Sequence, residues 1–191
     1  MDIPAITGLF DRVLAKGRKT LTEVEGYDVF TLCGIKTPAY KVFTRGTEAA
    51  DFVAKQLESG SKKFVAKVVS PDVGLLARAN VQIIHKTDVG GVALNLKDPE
   101  TVQQTVEALH AKFSKQDVEY HGIMVSEMVP KGLEMMIGAN RDATFGPITV
   151  SGLGGVLVEV LKDVVFNMCP VSVEDAQFSL RHLKNTKLVN G

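Results

Sequence analysis

The sequence has no excess of either charge: 22 Lys and Arg are matched by 22 Asp and Glu among 191 residues. No global field therefore draws the chain to nucleic acid or to an acidic membrane, although a local basic cluster can still bind phosphate. Cysteine is scarce. Cys33 and Cys169 stand far apart, outside any metal-ligand spacing, and nothing in residues 1–20 joins a basic start to a long apolar core, so a reducing cytoplasmic setting is expected. No apolar run approaches the roughly 20 residues of a membrane-spanning helix. Proline is also sparse, 7 residues beside 17 Gly and 45% hydrophobic residues, a balance that excludes a disordered chain and supports a buried core. No Walker-type loop, HExxH or CxxC zinc pattern, or Gly-x-Ser-x-Gly elbow occurs, which removes the common NTPase, metalloprotease and hydrolase readings. The length suits one substantial domain or two closely packed lobes.

What is present is ordered in pattern. Ile6, Leu9, Phe10, Val13 and Leu14 recur at helical spacing before Gly17, and Thr22 with Glu25 reads as a capping box opening a second helix that ends near Gly34. A strand around residues 39–43, a helix over 47–57 and a β-branched strand over 64–69 form a β-α-β unit. Two extended pieces flank Gly90-Gly91, and Asp98 caps a helix with Val102, Val106, Leu109 and Phe113 on one face. Strands are then predicted over 123–129, 133–139 and 148–153, with Pro130-Lys131-Gly132 and the 141–147 segment as hairpin connections. Ser172 opens a last helix. Alternating units followed by antiparallel strands predict a mixed α/β (α+β) fold in two lobes, without internal repeats.

Three constellations have chemical potential. The first is the His85-Lys86-Thr87-Asp88-Val89-Gly90-Gly91 turn, where glycines let backbone N–H groups approach an anion and polyphosphate is the natural ligand. Lys67 lies in an apolar strand nearby in sequence and reads either as an edge lysine that snorkels to solvent or as a phosphate ligand. His85 by itself reads as a turn histidine. The second runs from Ser126 through Glu127, Met128, Val129 and the Pro/Gly turn to Glu134: unpaired backbone groups there suit a purine edge and a carboxylate suits ribose hydroxyls, although alone it is a hairpin. The third joins Arg141-Asp142 to Gly152, Gly154 and Gly155 and then to Glu159 and Asp163. Its bland reading is a tight packing turn with a solvated helical face.

Taken together and in this order, these segments resemble the ATP-grasp part of nucleoside-diphosphate-forming acyl-CoA synthetases of the ADP-forming acetyl-CoA synthetase type. The resemblance extends from Leu21-Thr22-Glu23 to Asp163 and rests on the set, notably the 85–92 string followed by Gly152-Leu153-Gly154-Gly155 and Val158 to Asp163. It implies an ATP-grasp fold and a ligase acting on acid, CoA and ATP through acyl phosphate and phosphohistidine, with ATP/ADP as substrate and Mg2+ expected. It also implies a CoA-binding α part as partner, present as a subunit or a fused domain. By the same resemblance Lys67 grounds the phosphates with Lys86, Gly90 and Gly91 close over them, and Glu127, Met128 and Val129 form the adenine hinge. Glu134 falls near the ribose, Arg141 near the transferred phosphoryl group, and Gly154, Gly155 and Glu159 on the phosphoryl-site loop. His85 takes the place of a second phosphorylatable histidine, which suits neutral imidazole, a nucleophile near pH 7, beside the cation of Lys86.

Two departures from the family pattern accompany the resemblance. Roughly ten additional residues, 73–82, precede the His85 segment, and the sequence ends at Gly191, before the strands that carry the family's magnesium ligands. The metal ligands are therefore unknown, and missing C-terminal strands are expected to leave an unfinished sheet edge suited to self-association. The lobes are expected as 36–121, a lid, and 1–35 with 122–191. A non-catalytic assembly or regulatory fragment, or the ATP-grasp part of a protein-acetyltransferase fusion, is the alternative reading.

Overall fold

A computed structural model describes residues 1–71, 90–116, 119–155 and 161–185. Contacts divide the chain into two compact units, Met1–Val129 and Pro130–Gly191.

The first unit opens with two helices, α1 (Ile3–Ala15) and α2 (Glu23–Leu32). The Asp2 carboxylate caps α1 by accepting from the Ala5 N–H at 3.0 Å. The capping box of α2 forms as its spacing predicts: Thr22 Oγ1 accepts from the Glu25 N–H, and Glu25 accepts from the Thr22 N–H at 2.8 Å. Glu25 is also gripped by both terminal nitrogens of the buried Arg18 guanidinium. Hydrogen bonding from Arg18, opposed by burial and assisted by Thr22, draws its pKa down to about 2. Glu25 thus stays ionised in the folded state, and the stability it contributes is complete above its ordinary value of 4.5 and is lost as pH falls from there towards 2. Arg18→Met is expected to lower stability by about 1–3 kcal/mol in urea denaturation at pH 7 and to flatten the acid limb of melting temperature against pH. An unchanged acid limb would remove the pair from the account.

Four antiparallel strands follow: β1 (Tyr40–Phe43), β2 (Phe64–Val69), β3 (Val92–Leu96) and β4 (Gly122–Glu127), in the order β1-β4-β2-β3. The helix of the β-α-β unit, α3 (Gly46–Glu58), connects two parallel strands, yet β4 lies between them, antiparallel to both. With α4 (Pro99–Phe113) it builds the core on one face: Val53 from α3 and Val102, Val106 and Phe113 from α4 meet Phe64, Ala66 and Val68 of β2. Alternate residues of β2 supply this core because side chains alternate across a strand. The four apolar positions predicted on the inner face of α4 are all buried.

The second unit is a three-stranded antiparallel sheet, β5 (Met135–Asp142), β6 (Gly146–Leu153) and β7 (Val164–Met168), in that order. The helix α5 (Val173–Arg181) begins in a capping box of Ser172 and Asp175, and Ser179 Oγ donates to Asn167 Oδ1 at 2.9 Å. The connection predicted at 141–147 is a β5–β6 hairpin. Pro130-Lys131-Gly132, by contrast, is no hairpin turn. β1 and β2 occupy both edges of β4, so no edge remains for β5 and the chain leaves for the second unit. The strand after Gly122, which the sequence-based lobe division groups with the C-terminal residues, lies within the first sheet. β7 was not predicted, although Val164-Val165-Phe166 is a β-forming run. Among the described residues no helix is long and apolar enough to cross a membrane.

Candidate functional site

In the first unit, Lys67 is the one half-buried position of β2, whose other five residues are buried. It is paired across the sheet with Val92 on one side and Met124 on the other. Among the described residues no ion pair takes its ammonium group. The Gly90-Gly91 pair lies against the same strand: the Gly91 carbonyl accepts from the Val68 N–H at 2.9 Å, next to Lys67. Gly90 turns with φ +64°, a left-handed conformation that glycine adopts without strain. Strand register therefore brings together Lys67 and the glycine pair, which the sequence separates by more than twenty residues. A further cation was missed by sequence reasoning. A Cβ built on Gly90 would lie 2.9 Å from the Lys112 ammonium, at the end of α4, where a basic residue in the last turn was the only available signal.

The hinge segment continues β4. The Glu127 N–H donates to the Ala39 carbonyl at 2.9 Å and the Met128 N–H to the Lys63 carbonyl at 2.8 Å. Both are spent on the sheet. The Val129 N–H makes no hydrogen bond among the described residues, and Val129 is 64% exposed, so of the three donors it is the one not spent on the sheet.

In the second unit, Glu134 and the glycine turn, assigned from separate stretches of sequence, converge. The Gly154 N–H donates to the Glu134 carbonyl at 2.6 Å. A Cβ at Gly154 would come within 3.1 Å of the Glu134 main chain, and one at Gly155, which has φ +59°, within 3.0 Å of the Glu134 Cδ. Arg141 is exposed near the opposite end of β5, against Pro147. Seven residues of extended strand place it about 20 Å from Glu134, so the structure does not gather Arg141 with the Gly154-Gly155 turn. Asp163 is buried and accepts from the Lys184 N–H, the Asn185 N–H and Asn185 Nδ2 at 2.8–2.9 Å. Burial alone would raise its pKa, but these hydrogen bonds outweigh it and hold the carboxyl below the usual aspartate range. A carboxylate so occupied clamps the chain at Lys184 and Asn185. No group of three His, Cys, Asp or Glu able to hold a metal ion exists among the described residues. His85, Lys86 and Glu159 lie outside the described residues.

Residues 12–191 match the model of an ATP-grasp domain. The chain belongs to the ATP-grasp family. This ATP-grasp chain is 35% identical over 187 residues to the β subunit of acetate–CoA ligase [ADP-forming] I from Pyrococcus furiosus, covering 96% of itself and 73% of that subunit. It is 34% identical to the 4-hydroxybutyrate–CoA ligase [ADP-forming] of Nitrosopumilus maritimus, of which it spans 24%. The same domain thus occurs in relatives both as a separate β subunit and within a much longer chain. Its fold superposes with TM-score 0.73 and 33% identity on the dinucleotide-forming acetyl-coenzyme A synthetase 1 of Ca. Korarchaeum cryptofilum, covering 97% of this chain and 74% of that one. That protein was solved with coenzyme A and Mg-AMPPCP, its phosphohistidine segment pointing towards the nucleotide-binding site. The mixed α/β architecture predicted from sequence is therefore the ATP-grasp fold, and the relatives are the ADP-forming acyl-CoA synthetases that the motifs resemble.

Proposed function

We propose that this chain is the nucleotide-binding part of an ADP-forming acyl-CoA synthetase, which joins an acid to CoA at the expense of ATP, or runs in reverse to make ATP. The observation that carries this reading is the placement of Lys67 beside Gly90-Gly91 in a chain matched along 96% of its length by an ADP-forming ligase subunit. Lys67 binds the phosphates electrostatically and the glycine pair offers close backbone approach, with Lys86 as a second cation. The Val129 N–H reads the purine edge at the end of the Glu127-Met128-Val129 hinge, and Glu134 accepts from the ribose hydroxyls. His85 carries the phosphoryl group between the nucleotide and the CoA-binding part, and Arg141 stabilises charge on that group. The partner is a CoA-binding α part, separate or fused as in the two kinds of relative, and the setting is cytoplasmic, in keeping with two free cysteines.

Magnesium would neutralise the phosphates during transfer. The described residues do not gather a ligand set for it: Asp163 already accepts three N–H hydrogen bonds, and no group of three His, Cys, Asp or Glu stands together among them. Calorimetric titration of the chain with ADP and ATP tests the reading, and saturable binding of both is expected. A chain that binds neither nucleotide would overturn it.

A further inference from the structure

We propose that Gly155 is a specificity-determining residue: its missing side chain leaves the space in which the Glu134 carboxylate is held ready for a ribose. This rests on the nucleotide-binding reading and deepens it. Gly154 and Gly155 meet Glu134 in different ways. A Cβ at Gly154 would press on the Glu134 and Met135 main chain, at 3.0–3.1 Å, so Gly154 serves the close approach sealed by its own N–H to the Glu134 carbonyl. At Gly155 the built Cβ runs into the carboxylate end of the Glu134 side chain, with Cδ at 3.0 Å and the Glu134 Cβ at a comfortable 3.6 Å. A side chain at 155 therefore leaves the start of Glu134 where it is and displaces its functional end, because that end is flexible and the backbone is not. The glycine turn, in this account, belongs to the ribose end of the site through Glu134.

The test is the ratio of affinities for ATP and 2′,3′-dideoxy-ATP, measured by calorimetry on the full chain. The wild type is expected to prefer ATP by about tenfold or more, the effect of hydrogen bonds to a charged acceptor. Gly155→Ala is expected to bring the ratio close to one. Because Gly155 sits at φ +59°, Gly155→Asn is the second variant, since asparagine tolerates the left-handed region better than alanine. Gly146→Ala is the control: it has the same kind of backbone penalty, at φ +72°, with nothing within 4 Å of its Cβ, and should keep the wild-type ratio. In a Glu134→Gln background, Gly155→Asn should change the ratio no further. A wild type that binds both nucleotides equally would overturn the ribose role of Glu134 and this inference with it. A preference for ATP that survives in Gly155→Asn would overturn the inference alone and leave the nucleotide-binding reading standing.

Discussion

Replacing Lys67 with methionine is expected to weaken ADP and ATP binding about 10- to 100-fold while leaving the cooperative unfolding of the chain intact. The reason is the separation of stem from charge at this position. The aliphatic stem lies between Val92 and Met124 in a sheet whose neighbours in β2, Ala66 and Val68, are fully buried, and methionine reproduces that stem in length and flexibility. Only the ammonium group is lost, and a charge-assisted hydrogen bond to phosphate contributes about 1.5–3 kcal/mol. Calorimetry gives the affinity and thermal unfolding the stability of the same sample. A variant with unchanged affinity would return Lys67 to the role of an edge lysine whose charge snorkels to water, whereas a collapse of stability would show that the charge is needed by the fold itself.

Substituting His85 is expected to abolish phosphoryl exchange in the assembled enzyme and to leave nucleotide affinity within a few-fold. An imidazole that receives and donates a phosphoryl group acts on the transferred group, not on the base or ribose, so its loss appears in turnover and not in binding. His85→Ala and His85→Asn separate this from a structural role, because asparagine can keep hydrogen bonds of a turn but offers no nucleophilic nitrogen. Exchange of radiolabelled phosphate between ADP and the phosphorylated CoA-binding part should be lost equally in both. Full exchange in the asparagine variant would withdraw the carrier assignment and leave His85 as a turn residue.

Local features were readable from the sequence because their causes lie within a few residues. The Thr22/Glu25 box and the Ser172 and Asp98 caps each close over three residues, and all form at the residues the sequence singles out, with Asp175 completing a box at Ser172 that the structure adds. The inner face of α4 followed from its 3.6-residue period, and the core strand 64–69 from its β-branched composition. The family, too, was carried by sequence, through the order of the His85 to Val92 string and the Gly152 to Asp163 segment. Tertiary structure decided what depends on partners distant along the chain. The strand order β1-β4-β2-β3 leaves β4 with no free edge, so a Pro/Gly stretch that locally suits a hairpin becomes the exit to a second unit. The same pairing spends the Glu127 and Met128 N–H groups, while the Val129 N–H makes no hydrogen bond among the described residues. Asp163, which reads from sequence as part of a solvated face, is buried and clamped onto Lys184 and Asn185. The meeting of Glu134 with Gly155 arises because β5 and β6 pair Met135 with Leu153, a long-range register that no local spacing encodes, since hydrogen-bonded strand pairing is a property of two segments and not of either one.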